Sequence, residues 1–160
     1  MQTQKIVPFL WFDNNAEEAM NFYASIFQDS KILKITRNGP DGPGTPGTAL
    51  VGTLEIAGQT FMVLNGGPLF KFTEAVSFLV NCEKQEEVDE LWKKLTAGGG
   101  EPGRCGWLKD KFGLSWQIVP TILPKLLSDN DPRKAGRAMK AMLQMTKIDI
   151  AGLQRAYEQE

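Results

Sequence analysis

An α+β fold of two repeated βαβββ modules, followed by C-terminal helices, is what this sequence predicts, and three observations predict it. A short apolar strand pattern, an amphipathic helix pattern and three further strand patterns occur in that order twice. The two occurrences align at a constant offset of 69 positions: Val7-Pro8-Phe9-Leu10-Trp11 falls on Val76-Ser77-Phe78-Leu79-Val80, Glu17-Glu18 on Glu86-Glu87, and Phe22-Tyr23 on Leu91-Trp92. A gapless offset of this kind marks a duplicated unit. Past Pro120 the pattern turns helical and does not recur. The chain has 160 residues, 42% of them hydrophobic, which is enough to bury a core as one domain or two very small ones.

Each element follows from local chemistry. Residues 6–12 form an apolar, aromatic-rich run that reads as a buried strand, and Asp13-Asn14-Asn15 after it reads as a helix cap. A helix then starts near Ala16. Ala19, Phe22, Tyr23, Ile26 and Phe27 recur at helical spacing on one face, with Glu17, Glu18 and Asn21 on the other. Residues 31–37 alternate as a strand. The proline- and glycine-rich stretch 39–47 cannot continue any regular element and is expected to be a mobile loop. Residues 48–56 and 59–65 are two strands joined at Ala57-Gly58 by a tight hairpin. In the second module the helix closes on Ala97-Gly98-Gly99-Gly100, and strands are expected near 101–105, 106–110 and 114–119. Thr60-Phe61-Met62-Val63-Leu64 matches Ser115-Trp116-Gln117-Ile118-Val119 as the last strand of each module. The tail reads as helices over 122–127, 132–145 and 148–157, with Asp131-Pro132 as a helix start. Met139, Met142 and Leu143 form a stripe on the middle one that would pack as core, seal a pocket or meet another subunit. The expected organisation is a two-module domain over 1–120, with modules at about 5–66 and 74–120, and a helical extension over 121–160.

Composition narrows the function. Eighteen basic residues against nineteen acidic give a net charge of −1, so the totals carry no electrostatic footprint for nucleic acid. The longest apolar runs are far shorter than the roughly 20 residues that span a bilayer, so no membrane partner is expected. The first residues lack the basic start, apolar run and cleavage site of a signal, so a cytoplasmic location is expected by default. Two cysteines, Cys82 and Cys105, read as reduced core thiols. The chain has no histidine, which removes the usual base near neutral pH and the commonest transition-metal ligand.

The repeated strand, helix and three strands, with Phe22-Tyr23 at the helix centre and Asp110-Lys111-Phe112-Gly113 before the final strand, resembles the vicinal oxygen chelate superfamily, the glyoxalase and bleomycin-resistance fold. Within it, Pro8-Phe9-Leu10-Trp11-Phe12, Asn15-Ala16-Glu17-Glu18-Ala19 and Gly106-Trp107-Leu108-Lys109 with Ser115-Trp116-Gln117-Ile118-Val119-Pro120 resemble the PhnB-like branch, often labelled 3-demethylubiquinone-9 3-methyltransferase. The resemblance implies a glyoxalase-like pair of sheets around a shared cavity, a homodimer, and metal ligands at the positions of Pro8, Met62, Ser77 and Gln117. Those four side chains offer no set for a divalent cation, which wants several carboxylate or imidazole groups, so neither a metal nor another cofactor is expected. The label's methyl donor would want a glycine-rich turn between a strand and its helix. Gly98-Gly99-Gly100 instead follows a helix, and the loop 39–47 holds three prolines that cannot donate backbone hydrogen bonds.

Strand alternation gives the candidate pocket. With Val7, Phe9 and Trp11 toward the helix, Pro8, Leu10 and Phe12 would face the cavity, as would Ser77, Leu79 and Asn81. Met62 and Leu64 join them from one last strand, and Ser115, Gln117 and Val119 from the other, while Trp116 reads as core. Trp107 and Lys109 are placed to stack on and pair with a flat molecule, either anionic or carbonyl-bearing. Ligand binding is therefore expected at Pro8, Leu10, Met62, Ser77, Leu79, Trp107, Lys109, Ser115 and Gln117. Glu55, Lys109 and Asp110 are the only catalytic bases the sheet offers. The reading is a metal-independent pocket for a small aromatic or quinone-like molecule, with three alternatives: an enzyme of the labelled methyltransferase type, a drug-sequestering binding protein, and a dimeric interaction module.

Overall fold

The structure, a computed structural model, describes residues 4–159. Its elements are β1 (Phe9–Phe12), α1 (Ala16–Ile26), β2 (Lys31–Arg37), β3 (Ala49–Ile56), β4 (Gln59–Asn65), β5 (Ser77–Cys82), α2 (Gln85–Thr96), β6 (Glu101–Pro102), β7 (Trp107–Lys109), β8 (Ser115–Pro120), α3 (Ile122–Leu127), α4 (Pro132–Leu143) and α5 (Ile150–Glu158). The chain divides into two compact units, the first ending at Phe72 and the second beginning at Thr73. Each holds one four-stranded mixed sheet, ordered β1-β4-β3-β2 in the first and β5-β8-β7-β6 in the second. The outer pair β1 and β4 is parallel, as is β5 and β8, and the remaining neighbours are antiparallel. No helix among the described residues is long and apolar enough to cross a membrane.

In the first unit α1 buries Ala16, Ala19, Met20 and Tyr23. Leu10, Phe12, Leu54, Ile56, Phe61 and Val63 are buried on the strands beneath. Each fully buried side chain of this size contributes roughly 1.5–3 kcal/mol over its exposed state. The expected cap at Asp13-Asn14-Asn15 is supplied differently: Asn15 makes no side-chain cap, and the Ala16 amide donates to Asn65 Oδ1 at 2.9 Å. Asn65, at the end of β4, also donates its amide to the Ala49 carbonyl at 2.9 Å, so a tertiary residue ties helix start to sheet. The Ala57-Gly58 hairpin forms as its spacing predicts, with φ of 49° and 78°, the signature of a type I′ turn.

The loop 39–47, expected to be mobile, is organised around the buried Asn38. Its side chain donates to Thr48 Oγ1 at 3.0 Å and accepts from the Gly44 amide at 3.2 Å, and the Gly47 amide donates to its carbonyl at 2.8 Å. The prolines exclude a regular element there, and one asparagine supplies partners in place of a ladder.

Strand register corrects the predicted facing of β1. Phe9 pairs with Met62 and Leu10 with Val63, and paired residues share a sheet face. Leu10 and Phe12, at 7% and 3% exposure, therefore lie with Val63 on the α1 side, while Phe9 and Trp11 share the other face with Met62 and Leu64. The cause is a one-residue difference: Asp13-Asn14-Asn15 links β1 to its helix, but only Glu83-Lys84 links β5 to α2. A slip of one residue reverses every side chain in a strand.

In the second unit α2 buries Val88, Leu91 and Leu95, beside the buried Cys82, Leu108, Trp116 and Ile118 of the sheet. The strand expected near 101–105 pairs only at Glu101 and Pro102. Cys105 and Gly106 then turn the chain with φ of 55° and 84°, which ends the ladder. The C-terminal helices close on one cluster, in which Val119 of β8 packs with Leu123, Leu126, Ala138, Ile148 and Leu153. Asp131 caps α4 by accepting from the Arg133 amide at 2.9 Å, with proline at the first turn as predicted. Of the methionine stripe, Met142 packs against the cluster, and Met139 and Leu143 are exposed.

Candidate functional site

The second sheet gathers six of the predicted side chains on its face away from α2. Register places Ser77, Ser115 and Lys109 side by side in one row and Leu79, Gln117 and Trp107 in the next. Glu101 extends the first row across Lys109. Gln117 Nε2 donates to Ser77 Oγ at 2.9 Å, so the amide and hydroxyl hold each other. Ser115 is only 1% exposed, and its hydroxyl has no hydrogen-bond partner. A buried hydroxyl left unmatched costs about 1–3 kcal/mol, which a fold retains only where something offsets it.

Ser115 lines a recess of about 160 Å³ together with Trp107, Lys109, Glu74, Glu101 and Gly103. Trp107 supplies an aromatic wall. Lys109 Nζ forms an ion pair with the Glu74 carboxylate. Their hydrogen bond is the chief reason that the lysine is held above its ordinary range and the glutamate below, with the negative charge of Glu101 adding to the first. Lys109 is therefore a cation at neutral pH and offers N–H donors, not a base.

The Gly103 rim is fixed from two directions. The Gly103 amide donates to the Trp107 carbonyl at 2.8 Å, and the Trp107 amide to the Arg104 carbonyl at 3.0 Å. The C-terminal segment grips the same turn. The Cys105 amide donates to the Met145 carbonyl at 2.9 Å, the Gly106 amide to the Thr146 carbonyl at 2.8 Å, and the Arg104 guanidinium to the Leu143 carbonyl at 3.3 Å. Gly106 packs so closely on Ile148 and the Ile118 carbonyl that a Cβ there would sit 2.9 Å from that oxygen.

The other predicted residues lie elsewhere. Pro8, Leu10, Met62 and Glu55 belong to the first unit. Leu10 faces α1, which removes it from any pocket on the opposite face. Pro8 precedes β1, where its carbonyl accepts from the Met62 amide at 2.9 Å. Met62 lies on the sheet face away from α1, as predicted. Glu55 reaches Lys31 at 3.9 Å on that same sheet. Asp110 is buried and accepts from the Phe112 and Leu114 amides at 2.9 and 3.1 Å and from Trp116 Nε1 at 2.9 Å. Those bonds occupy both carboxylate oxygens in holding the turn before β8. Sequence reasoning missed Glu74 and Glu101. Glu101 was open to discovery as the cross-strand neighbour of Lys109, but nothing in the sequence marks Glu74 beyond its charge.

The metal positions implied by the fold test poorly. Pro8 has no donor, Met62 offers a soft thioether, and the Ser77 and Gln117 groups bond each other. Among the described residues no group of three or more histidine, cysteine, aspartate or glutamate side chains could hold a metal ion. This donor set does not fit a divalent cation.

Two sheets of this βαβββ order, each with one helix on one face, are the architecture of the glyoxalase, or vicinal oxygen chelate, superfamily. A PhnB protein of Bacillus cereus shares it at 41% identity over 74% of this chain and all of that one, with a TM-score of 0.69. The family model described as 3-demethylubiquinone-9 3-methyltransferase matches residues 4–119, and the chain belongs to that family. The fold extends to a protein of Pseudomonas aeruginosa (20% identity, 74% of this chain, 98% of that one, TM-score 0.60). It extends also to the fosfomycin resistance protein FosX of Listeria monocytogenes (18% identity, 78% of this chain, 98% of that one, TM-score 0.52). No curated protein matches the chain. Helices α3 to α5 lie past the residues that the family model matches.

Proposed function

We propose that this chain binds a small aromatic or quinone-like molecule without a metal, in the recess between Trp107, Lys109 and Ser115. The observation that carries the reading is Ser115, which lines a recess walled by an aromatic ring and a cation and whose buried hydroxyl lacks a partner. At about 160 Å³ the recess is smaller than the roughly 300–1,000 Å³ of ordinary ligand clefts, so it takes one ring or the head of a longer molecule. Binding without turnover is favoured over the methyl transfer of the family's description. Lys109 is held protonated, Glu74 is paired with it and Asp110 is committed to the β8 turn, which leaves Glu101 as the one carboxylate of the recess without such a tie.

The test is calorimetric titration of EDTA-dialysed protein with 4-methoxyacetophenone, a ring bearing one carbonyl. Saturable binding is expected, with affinity falling about 2- to 10-fold in Ser115→Ala, as one hydrogen bond is worth roughly 0.5–1.5 kcal/mol. Trp107→Ala is expected to lose more. Unchanged affinity in both variants moves the site elsewhere, and binding that requires added Mn or Zn overturns the metal-free reading. A cytoplasmic location accompanies the proposal, supported by two free thiols. A homodimer accompanies it too, supported by exposed Phe9, Leu79, Met139 and Leu143. A chain that runs as a monomer in light scattering at micromolar concentration refutes the dimer.

A further inference from the structure

Resting on that reading of the recess, we infer that its ligand is uncharged where it meets Lys109, a carbonyl compound and not an acid, and that Glu74 and Glu101 are the residues that set this specificity. The sequence alone leaves both ligand types open, because Trp107 and Lys109 suit an anion as well as a carbonyl. The structure adds two carboxylates to one ammonium around the same opening. Glu74 already neutralises Lys109, and Glu101 sits across the ladder from it in register. An acid entering here would have to displace Glu74, a carboxylate tethered at high local concentration, and would then face Glu101 as well. A carbonyl oxygen meets no such competitor. Lysine carries three N–H donors, so an oxygen acceptor can share the ammonium with Glu74. Ser115, in the adjoining row position and lining the same recess, carries a hydroxyl that has no partner within the fold. Specificity of this kind arises from what the site repels as much as from what it attracts.

The experiment compares 4-methoxyacetophenone with 4-methoxybenzoate, which have the same ring and substituent and differ in charge. Titrations use the full chain, wild type and Glu74→Gln/Glu101→Gln, at low and high salt. Wild type is expected to prefer the ketone by about 2- to 5-fold at low salt, the size that charges open to solvent give. In the double variant the affinity ratio should shift toward the benzoate by a similar few-fold factor, and added salt should shrink that shift. Equal binding of ketone and benzoate by wild type overturns the charge rule and leaves the ligand site standing. A ratio unmoved by the double substitution overturns the assignment to Glu74 and Glu101. Failure of both probes to bind any form overturns the site together with the inference drawn from it.

Discussion

Asp110 shows how a single carboxylate can fix a turn and an aromatic side chain together. It accepts from two backbone amides and an indole, so it fixes the turn into β8 and the orientation of Trp116 behind the recess. Asp110→Asn turns one acceptor oxygen into a donor facing N–H groups, and a loss of about 2–4 kcal/mol in urea unfolding is expected. Ser115→Ala should act in the opposite sense: removing an unmatched buried hydroxyl raises stability by about 1 kcal/mol while weakening ligand binding. A stability loss in Ser115→Ala would mean that the hydroxyl is satisfied after all. Cys82 provides a pH test. Burial, then the charges of Glu87 and Glu83, push its thiol up to about 12. A thiol whose folded value exceeds its unfolded one of about 8.5 favours the fold fully below that pH, and the contribution fades as pH rises toward 12. Native protein at pH 8 should therefore label at Cys105 and not at Cys82, with both labelling in denaturant. Stability should decline from about pH 8.5 upward, less so in Cys82→Ala. At this scale the sequence exposes Trp107, Lys109, Ser115 and Gln117, since alternation along β7 and β8 puts them on one face. It conceals Glu74 because the partner of an exposed glutamate is chosen by tertiary approach.

Strand and helix order was legible throughout, because apolar periods of two and near four survive without knowledge of partners. The facing of β1 was not. A gapless alignment of the two modules hides the extra residue in Asp13-Asn14-Asn15, and only the pairing of Phe9 with Met62 reveals it. The same blindness applies to the helix cap, which Asn65 supplies from a strand distant in sequence. Asn65→Ala removes bonds to both α1 and β3, and a cost of about 1–2 kcal/mol is expected by thermal unfolding. Ala57 offers the reverse test. Its φ of 49° suits glycine better than alanine, so Ala57→Gly should stabilise the hairpin by about 0.5–1 kcal/mol despite adding freedom to the unfolded chain.

For the whole molecule, the C-terminal helices are part of the second unit's core and not an appendage. Ile148 is fully buried between the helices and the Gly106 turn, and Ile148→Ala should cost about 2–4 kcal/mol in denaturant unfolding. The sequence identified these helices but left open whether they cover, seal or dimerise, since packing partners from other elements decide that. The turn they hold is also the rim of the recess, and thermodynamic reciprocity follows: whatever free energy the docked tail lends to ligand binding, the bound ligand must return to tail docking. Saturation with ketone should then slow hydrogen exchange at the Cys105 and Gly106 amides and delay tryptic cleavage after Lys147, by a factor matching the affinity lost when the tail is loosened. A small molecule on one side of this turn would thus be readable, without any assay of chemistry, as the docked population of a helix pair on the other.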